Sequence, residues 1–164
     1  MTLGTSTRSF LASAALAVAW ALAAPADAGS PSRAPLPPEY VEECGSCHVA
    51  YPARFLGRAS WQAVLEGLGS HFGADASVDP QVLEGIRPYL EAGARSRETS
   101  ADGRPLLRIT ETSWFRHEHP RPGASVWAHP DVKSPANCGG CHRQADVGDY
   151  RERSLRMPKK GEAK

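Results

Sequence analysis

Apolar residues along the chain fall into short helical stripes separated by Gly- and Pro-rich breaks. Trp61, Val64, Leu65 and Leu68 recur at i, i+3, i+4 and i+7, the spacing of one helix face. Ser60 stands just before them as an expected N-cap, and Gly69 and Gly73 are expected to end this helix. A second stripe, Val82, Leu83, Ile86 and Leu90, follows Asp79-Pro80, a cap followed by a first-turn proline. Pro88 should kink or shorten that helix, which is over by Gly93. Pro37-Pro38 followed by Glu39, Glu42 and Glu43 predicts a short helix with acids near its positive end. Trp114-Phe115 opens a helical turn ending near His119-Pro120, and Ser134-Pro135 opens another by N-cap and Pro at N1. Residues 106–110 have the only strand character. Residues 51–57, 93–105, 121–130 and those after His142 read as turn, linker and loop. The predicted fold class is mainly α.

The N-terminus differs in kind. Arg8 precedes a nearly continuous apolar run over residues 10–24, and Ala26-Asp27-Ala28 is an A-x-A cleavage pattern. Residues 1–28 thus read as a secretory signal peptide cut before Gly29. The run is shorter than the roughly 20 apolar residues a membrane span needs, so the mature chain is expected to be soluble and exported, with a periplasmic location. The net charge is +1, which gives no reason to expect nucleic acid as a partner.

All four cysteines lie in two repeats of one motif, Cys44-Gly45-Ser46-Cys47-His48 and Cys138-Gly139-Gly140-Cys141-His142. C-x-x-C-H is the attachment signal for c-type haem. On a helix, the two thiols and the imidazole at i, i+3 and i+4 share one face. Cys44, Cys47, Cys138 and Cys141 would then form thioether links to two covalently bound haem c groups, with His48 and His142 as proximal iron ligands. Two other chemistries use paired cysteines: a four-thiolate zinc site and a redox dithiol. Zinc does not require a histidine after each pair, and the βαβ pattern expected around a redox dithiol is missing. Such a short chain has little core to build around each cofactor, so the haem-free polypeptide is expected to fold poorly.

Four histidines remain for the far sides of the irons. His71 lies beside Phe72 between two glycines and suits a haem pocket. His117 and His119 sit two apart, on different helix faces, and periodicity does not separate them. His129 lies in a Pro-rich loop after Trp127. After Met1 the only methionine is Met157, so at most one iron could take the His/Met pair of high-potential cytochromes.

Several segments together carry a resemblance. They are residues 43–48 with Ala50-Tyr51-Pro52; Ser60-Trp61 with residues 71–76; Arg108-Ile109-Thr110; Trp114-Phe115 up to His119; and residues 134–138 with Cys141-His142. In this order they are similar to the dihaem cytochromes c, small exported proteins often encoded beside a membrane cytochrome b and a monohaem c-type protein. The resemblance implies two bis-histidine, low-spin haems, a cytochrome c-like N-terminal haem lobe over residues 29–97 and a less regular C-terminal haem lobe over 98–164. It places the second distal ligand at His119 rather than His117, although Glu118 stands where the family usually has a basic residue. It also implies single-electron transfer between redox proteins, with a membrane cytochrome b as donor and a small monohaem c-type protein as acceptor. A different class, a dihaem peroxidase or gas-binding haem protein, would need one iron with an open far side.

Overall fold

The computed structural model describes Met1, residues 35–95 and residues 97–158. The expected signal peptide and the basic residues from Lys159 onward lie outside the described residues. Among the described residues five α-helices appear in chain order: α1 Pro38–Cys44, α2 Arg58–Glu66, α3 Pro80–Gly93, α4 Ser113–Glu118 and α5 Ala124–Trp127. Short 3-10 turns join them, and among the described residues the only β pairing consists of isolated bridges.

The first three helices pack around one core of Tyr40, Ala50, Ala53, Leu56, Trp61, Leu65, Ile86 and Leu90. Buried polar atoms there are satisfied: the Tyr40 hydroxyl donates to Tyr51 O at 2.6 Å and Trp61 Nε1 donates to Ala53 O at 2.7 Å. Asp79 caps α3 by accepting from the Gln81 amide at 2.8 Å. The helix continues through Pro88 to Gly93. Pro88 lies on the exposed side, while Ile86 and Leu90 anchor the helix on both sides of it; tertiary packing outweighs the lost hydrogen bond. Gly93 ends α3 so tightly against the loop that an added Cβ would come within 2.6 Å of Ala53 Cβ.

Several local expectations are corrected. Ser60 is not an N-cap; it is buried inside α2, whose cap is Gly57. That helix ends at Glu66, earlier than expected, and a 3-10 turn over Leu68–Ser70 carries the chain to His71. Residues 106–110 form no strand; Ile109–Glu111 is a 3-10 turn, with Ile109 packed against the core. Residues 121–130 hold one helical turn, α5. After residue 98 the elements are short, and the two halves share side-chain contacts. Trp114 Nε1 donates to Phe55 O at 3.2 Å, and Phe55 packs edge-on against Tyr150.

Candidate haem centres

Neither C-x-x-C-H motif forms the expected helix. Cys44 is the last residue of α1, and Gly45 closes it by donating its N–H to Val41 O at 2.9 Å. A Cβ at Gly45 would sit 2.3 Å from that oxygen, so the turn needs glycine, and residues 45–48 follow as a bend. In the second motif only Cys138–Gly140 is helical, as a 3-10 turn. The Ser134 hydroxyl accepts from the Ala136 amide at 3.0 Å, a local turn in place of an N-cap. Gly139-Gly140 disfavours a helix, and Gly140 lies so close to Asp131 and Val132 that a Cβ would meet backbone at 3.0 Å.

The six histidines separate cleanly. The rings of His48 and His71 lie tilted at 30° with centroids 6.3 Å apart, and those of His119 and His142 meet edge-on at 77° with centroids 6.1 Å apart. Two imidazoles bound to one metal at about 2 Å each would have centroids about 6 Å apart, a spacing that both pairs match. Two segments position the rings of His71 and His119. His71 lies at the start of a reversal, with the Ala74 amide bonded to His71 O at 3.1 Å. Phe72 and Gly73 there have φ values of 51° and 96°, so a β-carbon-bearing residue is held in the left-handed region next to the ligand candidate. His119 caps α4; its ring stacks on Phe115 at 4.1 Å, and Trp127 lies beyond it at 6.2 Å. His117 is exposed on α4. His129 is engaged in its own turn, Nδ1 accepting from the Asp131 amide at 3.2 Å.

Hydrogen bonding at Nδ1 decides which nitrogen is available. His48 Nδ1 donates to Val49 O at 2.9 Å and His119 Nδ1 donates to Phe115 O at 2.8 Å. In both residues Nε2 keeps its lone pair for a metal. His142 departs from this pattern: its Nδ1 is buried without a partner among the described residues, as is the Tyr150 hydroxyl, and the two rings lie 5.2 Å apart. Burial and then the neighbouring His48 push His71 below its usual pKa, and burial and then His119 do the same to His142. Both shifts favour the neutral, ligating imidazole.

Burial raises the pKa of three of the four thiols. Burial, and then the Glu43 carboxylate, push Cys44 up to about 11. Burial likewise raises Cys138 to about 11 and also raises Cys141. Among the described residues no three His, Cys, Asp or Glu side chains converge on a common ion position.

Sequence reading missed the role of Tyr51. Its ring stacks on His48 at 4.7 Å with planes 18° apart, and its hydroxyl donates to Ala136 O at 2.7 Å, two residues before Cys138. One side chain therefore touches the first histidine and ties down the segment of the second motif. Burial, and then Cys138, push its pKa up to about 12. The only local signal was its place three residues after His48.

The comparisons agree with this chemistry. The family profile for dihaem cytochrome c matches residues 40–150. The X-ray structure of a dihaem cytochrome type c from Shewanella baltica is 36% identical, covering 75% of this chain and 95% of that one at a TM-score of 0.63. Two structures from Rhodobacter sphaeroides are similar. One, titled DHC, is 36% identical and covers 70% of this chain and 96% of that one at a TM-score of 0.59. The other, a dihaem cytochrome c, is 32% identical and covers 73% and 95% at a TM-score of 0.61. No functionally curated protein is similar enough to this sequence to match it. With two C-x-x-C-H motifs and a helical fold shared with these structures, the chain belongs to the dihaem cytochrome c family, c-type electron carriers with two covalently bound haem c groups.

Proposed function

We propose that this protein is an exported carrier that passes single electrons between redox proteins through two bis-histidine, low-spin haems. The observation that carries this reading is the presence of two imidazole pairs with centroids 6.3 and 6.1 Å apart. In this assignment Cys44 and Cys47 bind the first haem, with His48 and His71 on its iron. Cys138 and Cys141 bind the second, with His142 and His119. Residues 29–97 and 98–164 are the two haem-bearing halves. The haem irons supply exchange between Fe(III) and Fe(II), and two imidazoles set lower potentials than a His/Met pair. The polypeptide holds the rings, excludes water and keeps both far positions filled. A membrane cytochrome b is the proposed donor and a small monohaem c-type protein the proposed acceptor. Among the described residues no helix is long and apolar enough to cross a membrane.

The test is the absorption spectrum of the dithionite-reduced holoprotein with and without carbon monoxide. The wild type should keep sharp low-spin bands unchanged by the gas. His71→Ala and His119→Ala should each open one site, converting about half of the haem to a gas-binding form, while His117→Ala and His129→Ala should behave as wild type. Gas binding by the wild type would instead favour a peroxidase or gas-binding role.

A further inference from the structure

A short antiparallel return of the chain assembles a basic face beside the second haem-attachment motif. His142 bridges to Leu155, the Arg156 amide donates to Cys141 O at 2.8 Å, and the Arg143 amide donates to Ser154 O at 3.3 Å. These bonds fix three arginines, Arg143, Arg153 and Arg156, together with Gln144 and Ser154, around an open depression of about 310 Å³. Only Arg153 has a partner among the described residues: Asp149, which accepts three hydrogen bonds from Arg151, stands 3.9 Å from it. Among the described residues neither Arg143 nor Arg156 makes an ion pair.

A chain whose formal net charge is only +1 thus brings three guanidinium groups around one depression. Guanidinium groups bind carboxylates in forked geometry and stay charged at any physiological pH. A one-signed patch around a concavity steers oppositely charged partners and fixes their approach. We propose that Arg143, Arg153 and Arg156 form a docking face for the acidic surface of a redox protein, which receives or supplies its electron at the second haem. This inference rests on the electron-carrier reading and adds to it a site of exchange and the charge of the partner.

The experiment uses the dithionite-reduced holoprotein mixed in a stopped-flow instrument with either trianionic hexacyanoferrate(III) or tricationic hexaammineruthenium(III). In each reaction one electron leaves a ferrous haem and reduces the metal complex, with no proton transferred. Substituting all three arginines, R143Q/R153Q/R156Q, should slow the anionic oxidant about tenfold at low salt and leave the cationic one equal or faster. The difference should vanish at high salt. The charge-preserving R143K/R153K/R156K should keep most of the wild-type rate. An unchanged anionic rate would overturn the proposal. So would an equal fall for both oxidants with a shifted haem potential, since the arginines would then be acting on the haem itself. Salt-sensitive binding to phosphatidylglycerol vesicles that the glutamine variant loses would assign the face to a lipid surface instead. A wild-type protein that reduced neither complex would defeat the electron-carrier reading rather than the docking face.

Discussion

Tyr51 offers the most demanding check of the structure, because its two functions can be removed one at a time. Tyr51→Phe deletes the hydroxyl and its 2.7 Å bond to Ala136 O but leaves the ring on His48. That bond lies at the surface, where water can replace the donor, so the loss is about 0.5–1 kcal/mol. Tyr51→Ala also removes the stacked ring, worth about 0.5–1.5 kcal/mol beyond its buried area. Together with half-burial of an aromatic side chain, the expected total is about 2–3 kcal/mol. The assay is denaturant unfolding of the holoprotein, followed at the haem bands and by far-ultraviolet circular dichroism. The ferric low-spin EPR signal of the first haem is recorded in parallel, because it reports the orientation of His48. Tyr51→Phe should preserve that signal and Tyr51→Ala should change it. A further consequence is alkaline. The folded pKa of Tyr51 lies near 12, above its ordinary 10.0, so the folded state holds this proton more tightly than the unfolded chain does. Its contribution is intact below pH 10 and is lost as pH rises toward 12, and Tyr51→Phe should make the alkaline fall less steep. The reasoning is refuted if Tyr51→Ala matches wild type in both stability and EPR signal.

Other outcomes are open to direct measurement. Gly93→Ala should destabilise by about 1–2 kcal/mol, because overpacking against Ala53 exceeds the gain in helix propensity; adding Ala53→Gly should restore most of the loss in a double-mutant cycle. Haem-free protein, with both motifs changed to alanine or expressed without maturation, should melt without a cooperative transition, and a sharp calorimetric peak would contradict this. Glu98 accepts from the Ser113 amide at 2.6 Å, and that backbone bond lowers its pKa from 4.5. Its contribution is therefore present above pH 4.5 and is lost as pH falls through the lower folded value. An NMR titration of the Ser113 amide in the reduced protein should follow it, and Glu98→Gln should abolish the step.

What could be read from the sequence was the chemistry with local causes. The two motifs, the Asp79-Pro80 helix start and the buried face of Ile86 and Leu90 depend on neighbours a few residues away. His71 could be chosen as a candidate from its setting, but its element was misjudged: α2 stops at Glu66 and a reversal, not a helix end, presents the ring. Ser60 has the residue type of a cap, but burial at 2% places it inside the helix. The second motif failed as a helix because Gly139 and Gly140 favour a tight turn packed on Asp131 and Val132. The role of Tyr51 was invisible because its hydroxyl's partner lies in another part of the chain. So was the arginine face, which exists only because residues 154–156 return to pair with 141–143.

The arrangement of the histidines also bears on how the protein is put together. His71 follows the first motif, whereas His119 precedes the second, so each imidazole pair lies within one continuous stretch of chain. As the polypeptide emerges N-terminus first, the four side chains proposed for the first centre, Cys44, Cys47, His48 and His71, are present before those proposed for the second. Closing each of these loops is entropically modest. The bond from Tyr51 to Ala136 spans 85 residues, a longer closure that is expected to follow them. Assembly is therefore expected to be modular. A lesion in the second motif should leave a chain that still matures at the first, whereas loss of the tyrosine should leave two filled centres that are poorly aligned with each other.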